Sequence, residues 1–303
     1  MRRISSGLEN DQFSFDYLII ALGAEYASDL IPCLKEYSHH MYDLEPAEKS
    51  TTAIEGFSGG NTAIGVPRIP FKCPAAPYET ALLLDHHFKE KKGLGDKTKI
   101  RFFTPEGLPL PSAGPEIGNS ALEFMKSRGI VSNFKVKLTE VRPGEAIYDD
   151  GSMIIPFDLL FAVPPHVCPK PVAEAGLVDQ TGWIPVDPAT MQTRLDNVYA
   201  IGDNTSVPTP SGFVPFLPKA GVFAHGRAEA VAHNIAVEIK GRGARKMYDG
   251  GGACFLMTGG ARAAFVKGNW YSKPHPEISY HEPRRTFYMQ RAPFEKYRMH
   301  HWF

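Results

Sequence analysis

Between Asn61 and Pro165 the hydrophobic period of the chain switches repeatedly, and that alternation constrains the fold most. Residues 61–67, NTAIGVP, are an apolar run of strand length. ETALLLDHHFKEKKG then has helical spacing at Ala81, Leu84 and Phe88, and Gly93 marks a stop. KIRFFTPE at 99–106 reads as the next strand. PEIGNSALEFMKSRG at 115–129 reads as a second helix, with Ile117, Leu122 and Met125 near one face and Gly129 as its C-cap signal. FKVKLTEVR at 134–142 alternates strictly and predicts one strand. Asp150-Gly151 lies between two β-rich runs and predicts a hairpin. DLLFAVPP at 158–165 predicts a last buried strand. The order is βαβαβ, a hairpin, then β. That is a nucleotide-binding α/β unit with an added antiparallel meander.

The flanks carry matching pieces. FSFDYLIIALG at 13–23 reads as a strand, its later part buried on both faces, ending at Gly23. NVYAIGD at 197–203 reads as a strand ending in Gly202-Asp203. Residues 221–241 read as a long helix with Val222, Ala230, His233 and Val237 facing inward. From about Gly243 the pattern returns to strands, GGACFLMTGG and RAAFVKGNW, and ends Pro-rich and aromatic.

Composition excludes several function classes. The 303 residues carry 33 basic and 33 acidic side chains, so the net charge is zero. No electrostatic excess is present to drive nucleic-acid binding. Cys33, Cys73, Cys168 and Cys254 are too few and too scattered for a secreted disulfide framework. No CxxC pair occurs, and no metal is expected. The N-terminal MRRISSGLENDQ lacks the apolar stretch of a signal peptide, and no apolar run is long enough to span a membrane. The end, FYMQRAPFEKYRMHHWF, interleaves Phe287, Tyr288, Phe294, Tyr297, Trp302 and Phe303 with Arg291, Lys296, Arg298, His300 and His301. Such a segment suits a membrane interface, or packing on the body of the protein or on a second subunit.

Three segments carry chemistry. DYLIIALGA at 16–24 is a buried strand ending in a small residue and Gly23, which lets the backbone turn tightly beside a dinucleotide. VYAIGDNTSVP at 198–208 places the Asp203 carboxylate at the C-terminal edge of a sheet. There it suits ribityl hydroxyls, or serves as the N-cap of a following helix. With the first segment and the PKAG turn at 218–221, flavin is favoured. The third is RIPFKCPAAPYETALLL at 68–84, where a nucleotide unit carries its Gly-rich phosphate loop. Here the loop is Pro-rich and carries Cys73. A thiol ahead of a helix N-terminus, beside Lys72, is favoured as thiolate; the bland reading is an inert buried Cys. Glu79 falls on the first helical turn.

On these residues the chain resembles the sulfide:quinone oxidoreductase family, close to the flavoprotein of flavocytochrome c sulfide dehydrogenase. The match is carried by Cys73-Pro74-Ala75-Ala76-Pro77-Tyr78-Glu79, by Cys254 in GACFLMTGG, and by Leu22-Gly23, Gly202-Asp203 and Pro218-Lys219-Ala220-Gly221. The resemblance implies an α/β fold with two dinucleotide-binding, Rossmann-like domains, the first incomplete, plus a small C-terminal α+β region. It implies a remnant of the FAD domain at 1–30, an NAD-like domain with the redox cysteine loop at 31–190, a returning FAD segment at 191–242 and a C-terminal domain at 243–303. It implies FAD held by Leu22, Gly23, Gly202, Asp203, Pro218, Lys219 and Gly221, with Lys219 placing charge near the flavin. It implies that sulfide is oxidised to polysulfide or sulfane sulfur through Cys73 and Cys254, both with lowered thiol pKa values. Glu79 is then a proton acceptor, and a quinone receives the electrons. The implied setting is peripheral, on the cytoplasmic side of the cell membrane with the tail at its surface, the periplasm being the alternative; a homo-oligomer is compatible.

Two departures from the family pattern stand out. Some members carry a third cysteine some thirty residues before the Cys73 position; here that stretch reads HHMYDLEPAEK. Complete members place most of a βαβ unit, with its G-x-G-x-x-G, before the segment like Leu22-Gly23. Here about twenty residues precede it, so an N-terminally truncated member is expected. The alternatives are a sulfide:cytochrome c flavoprotein, a type II NADH:quinone oxidoreductase, and a fragment without FAD that acts only as a binding module.

Overall fold

A computed structural model describes residues 2–5 and 12–302 of the chain. Met1, residues 6–11 and Phe303 lie outside the described residues, and with them part of the N-terminal stretch read above and the last aromatic of the tail. In chain order the elements that position the site are β1 (Leu18–Ile20), β2 (Gly60–Gly65), α1 (Ala76–His86), β3 (Thr98–Thr104), α2 (Pro115–Ser127), β4 (Val131–Phe134), β5 (Leu138–Arg142), β6 (Glu145–Tyr148), β7 (Met153–Pro156), β8 (Leu159–Ala162), β9 (Val198–Ala200), α3 (Gly221–Lys240), β10 (Gly251–Gly259), β11 (Arg262–Asn269), β12 (Glu277–Arg284) and α4 (Arg285–Trp302). The chain forms two compact units. One comprises Met1–Glu25, Val167–Gly251 and Asn269–His275; the other comprises Tyr26–His166, Gly252–Gly268 and Pro276–Phe303.

The second unit is built on a parallel sheet of order β8-β2-β3-β4. α1 and α2 are the crossovers that parallel neighbours require. All four residues of β8 are buried, as its unbroken apolar run predicts. Ile64, Tyr78, Leu82, Phe88, Phe102 and Met125 form the centre of the core between sheet and helices. Each such side chain contributes about 1.5–3 kcal/mol by leaving water. α1 starts three residues before the predicted Glu79, because Pro77 sits in the first turn where its missing N–H costs nothing. Past His86 it widens into one π-helical turn through Lys91.

The alternating run 134–142 is not one strand. Phe134 ends β4 in the parallel sheet, and Leu138 starts β5 in the meander. Between them Lys135 takes a φ of 58°, while its N–H and that of Val136 bond to Glu106 and Thr104 carbonyls. Alternation continues across a break because side chains on both sides face apolar layers. The predicted hairpin is present: β6 and β7 pair across Asp149, Asp150 and Gly151, all at positive φ.

In the first unit, β1 and β9 are parallel neighbours, with Ile20 opposite Ala200. The run 13–23 was expected to be one strand, its later part buried on both faces. It is instead split into Gln12–Phe15 and β1, and Ile19 is 41% and Leu22 61% exposed. Among the described residues β1 pairs only with β9. α3 buries Phe223, Arg227, Ala230, Val231 and Asn234. His233 was expected to face inward but is exposed, its ring meeting the Ala244 carbonyl at 2.9 Å. Burying Arg227 and Asn234 instead satisfies backbone groups that an apolar face would leave unpaired.

The C-terminal strands of the second unit form a sheet of order β10-β11-β12. The tail read as aromatic and basic is α4. It packs on this sheet through Phe287 against Phe265, at 5.5 Å between ring centroids, and Phe294 against Phe255, at 5.8 Å. No helix among the described residues is long and apolar enough to cross a membrane.

Candidate active site

Cys73 lies three residues ahead of α1 and is exposed. Its φ of 56° is in the left-handed region, a conformation costly for a residue with a Cβ. The turn is closed by the Ala76 N–H donating to the Cys73 carbonyl at 2.9 Å. Pro74 stiffens the loop in which glycines would let a phosphate approach. Tyr42 approaches from the preceding segment, and its hydroxyl donates to the Lys72 carbonyl at 3.3 Å.

Cys254 lies on β10 and is exposed. Glu79 connects its strand to the Cys73 helix. From the first turn of α1 its Oε1 accepts the Met257 N–H at 2.6 Å. Burial raises the Glu79 carboxyl above the usual carboxylate range, partly offset by the Met257 hydrogen bond and by Arg291. Cys254 was expected to have a lowered thiol pKa. It is pushed up to about 11, first by the protein packed around it and second by the Glu79 carboxylate; Arg298 only partly compensates. Solvent reaches one side of this residue while the crowded side disfavours the thiolate. Cys73, Glu79 and Cys254 therefore lie in one unit, and none of the four cysteines is in a disulfide.

Sequence reasoning missed three members of this cluster. Arg298 stands 4.3 Å from the Phe294 ring centre and is the cation beside Cys254; Arg291 is the cation beside Glu79. Both were read only as basic tail residues. Their spacing of seven on a helix is the signal that places them on one face. Tyr42, the third, is a Tyr in a loop and has no local signature.

The predicted dinucleotide segments meet in the first unit. The Ile201 N–H donates to Ile20 O at 2.9 Å, so Leu22-Gly23 and Gly202-Asp203 leave adjacent parallel strands at the same edge. Gly23 has φ 73°, which favours glycine, and an added Cβ there would meet open space. Asp203 caps no helix: only a single 3₁₀ turn, Gly202–Asn204, follows β9. Its Oδ1 is buried without a hydrogen-bond partner among the described residues. A buried acceptor of this kind fits a hydroxylated ligand such as a ribityl chain.

Pro218 and Lys219 run into Gly221, the first residue of α3. Lys219 Nζ donates to the carbonyls of Asp203 at 2.7 Å and Thr205 at 2.9 Å and lies 3.4 Å from the Trp183 ring centre. Burial pushes its pKa down to about 7 against the pull of Asp203. Arg227, which sequence reading did not single out, holds the same turn, bonding Thr205 Oγ1 at 2.8 Å. Both cations secure the backbone on either side of Asp203. Cys168 is buried, with Sγ 3.7 Å from the Asn204 carbonyl, and Cys33 is exposed ahead of a short helix. Among the described residues no group of His, Cys, Asp and Glu is arranged to hold a metal.

The family model for the central part of the flavocytochrome c sulfide dehydrogenase flavoprotein chain matches residues 50–104, the segment holding Cys73 and Glu79. The mitochondrial sulfide:quinone oxidoreductase of Mus musculus is 28% identical over 96% of this chain and 65% of its own length. The mitochondrial sulfide:quinone oxidoreductase of Schizosaccharomyces pombe is 27% identical over 93% of this chain and 64% of its own. The chain is similar to these sulfide:quinone oxidoreductases over nearly its whole length. The fold agrees: the crystal structure of the sulfide:quinone oxidoreductase from Aquifex aeolicus superposes with a TM-score of 0.82 at 23% identity, covering 96% of this chain and 70% of that one. The chain spans just under two thirds of the length of the mouse and Schizosaccharomyces pombe proteins.

Proposed function

We propose that the chain acts as an FAD-dependent oxidoreductase that oxidises sulfide to polysulfide or sulfane sulfur through Cys73 and Cys254 and passes the electrons to a quinone. The observation that carries this reading is the 2.6 Å bond from Met257 N–H to Glu79, which ties the helix behind one exposed thiol to the strand of the other. Two exposed thiols in one unit, with a buried carboxylate reaching from the helix behind one to the strand of the other, suit two-electron sulfur chemistry. Sulfide attack on a Cys73–Cys254 disulfide breaks the S–S bond, leaves a persulfide on one cysteine and releases the other as thiolate. Glu79, with its proton affinity raised by burial, takes up the proton set free. Arg298 and Arg291 steady negative charge at Cys254 and Glu79.

Leu22, Gly23, Gly202, Asp203, Pro218, Lys219 and Gly221 are the residues that would hold FAD, with the unpartnered Asp203 Oδ1 as acceptor for ribityl hydroxyls. When bound, FAD supplies the capacity to accept an electron pair and deliver it to a quinone. The residues 1–30 and 191–242 form the FAD-binding part in this reading, 31–190 the NAD-like part and 243–303 the C-terminal part. The exposed Met289, Tyr297 and Met299 of α4 suit a membrane surface, making the protein peripheral.

A cytochrome is the alternative acceptor, favoured by the sulfide dehydrogenase match over 50–104. The test is sulfide-driven reduction of a soluble quinone, with cytochrome c as parallel acceptor. Cys73→Ser and Cys254→Ser should each abolish it. Retained activity in either variant removes that cysteine from the reaction.

A further inference from the structure

The stretch that carries no third cysteine is the one that meets Cys73. His39 pairs beside β8: its N–H donates to Leu160 O at 2.8 Å, and its carbonyl accepts from Ala162 N at 3.0 Å. That pairing directs the next residues across the end of the sheet, where Tyr42 packs on Val66, Phe71 and Val163. Its hydroxyl donates to the Lys72 carbonyl at 3.3 Å, one residue before Cys73. Tyr26 in turn donates to the Tyr42 carbonyl at 2.8 Å. The Lys72 ammonium stands 4.8 Å from the Tyr26 ring centre and 5.9 Å from that of Tyr42. His166 closes the box, with its ring edge-on to both tyrosines at 5.1 and 5.3 Å.

We propose that Tyr42 is a positioning residue for Cys73, tethering the backbone that carries it and donating a hydrogen bond to its sulfur when that sulfur bears negative charge. The 3.3 Å bond to Lys72 O is long for an O–H donor, so the phenol gives up little by turning to the adjacent sulfur. A strained φ at Cys73 persists only where its surroundings over-determine it, and the Tyr26–Tyr42–Lys72 chain supplies that restraint. Burial holds the Tyr42 phenol well above its ordinary pKa, with Cys73 and Glu79 as charged neighbours, so it remains a donor wherever a thiolate forms. The titratable groups around this site are Lys72 on the loop, Glu79 on α1, Tyr26, and His40 and His166 in the aromatic box. Burial lowers the pKa of His40. A donor to a charged sulfur lowers its pKa by about one unit or more.

This inference rests on reading Cys73 as the reactive thiol, and its test uses neither sulfide nor flavin reduction. Iodoacetamide labelling of Cys73 is followed by peptide mass spectrometry across pH, in the full chain with Tyr42→Phe and Tyr26→Phe. Tyr42→Phe keeps the ring and should move the half-labelling pH upward by about one unit, slowing labelling near pH 7 about tenfold. Tyr26→Phe loosens the same box but leaves the phenol of Tyr42, and should leave the midpoint unchanged. An unmoved midpoint in Tyr42→Phe, or an equal shift in both variants, overturns the proposal. Loss of the function reading would show instead as sulfide oxidation surviving Cys73→Ser.

Discussion

Cys254 and Cys73 are both lone thiols in the sequence, and the fold gives them different surroundings. Cys73 precedes a helix start, and its loop is tied to two tyrosines and a lysine. Cys254 sits on a strand with a carboxylate beside it and a thiol pushed up to about 11. A raised thiol pKa means the protonated, unreactive form dominates below that value. Alkylation of Cys254 should therefore be slow at neutral pH and climb steadily toward pH 11. Arg298→Ala removes the opposing cation and should slow it further at every pH. A Cys254 that labels fully at pH 7 would show that the crowding described here does not govern it. The cysteines, Glu79 and the Gly-Asp segment stood out as candidates in the sequence because their residue types announce chemistry. Tyr42, Arg291 and Arg298 did not, because only folding brings them near Lys72, Glu79 and Cys254.

Elements of the second unit followed the sequence wherever apolar period and burial coincided, as in β2, α1, β3, α2 and β8. The sequence misled where the period continued across a change of partner, as between β4 and β5, or where a buried face was polar, as on α3. The link between α1 and β10 had no sequence signal. Glu79→Ala should cost about 2 kcal/mol in urea unfolding, by leaving the Met257 N–H without its charged acceptor. Glu79→Gln keeps an acceptor oxygen and should cost much less. Because burial raises the Glu79 pKa, the native state holds this proton longer than the unfolded chain. Stability from this group is thus full below the unfolded carboxyl pKa and is lost as pH rises through the raised native value. Glu79→Gln should flatten that decline. An identical pH slope in the two proteins would place the Glu79 proton elsewhere.

At the scale of the whole molecule, zero net charge argued against nucleic acid as the main partner, and the α/β alternation pointed to a dinucleotide fold. The sequence left the tail open between membrane and packing; in the fold Phe287 and Phe294 of α4 pack on the sheet while Met289 is 71%, Tyr297 61% and Met299 62% exposed. Replacing those three by Asp should abolish sedimentation with phospholipid vesicles without changing the urea midpoint. Unchanged sedimentation would leave α4 as a packing element alone. The central claim is that sulfide electrons pass through this cysteine pair to bound FAD. Anaerobic addition of sulfide to the FAD-loaded protein tests it most directly. Sulfide should bleach the visible flavin absorbance in the wild type and leave it intact in Cys73→Ser, while NADH bleaches neither. Bleaching by NADH with no response to sulfide, or a protein that stays colourless after FAD is supplied, would contradict it.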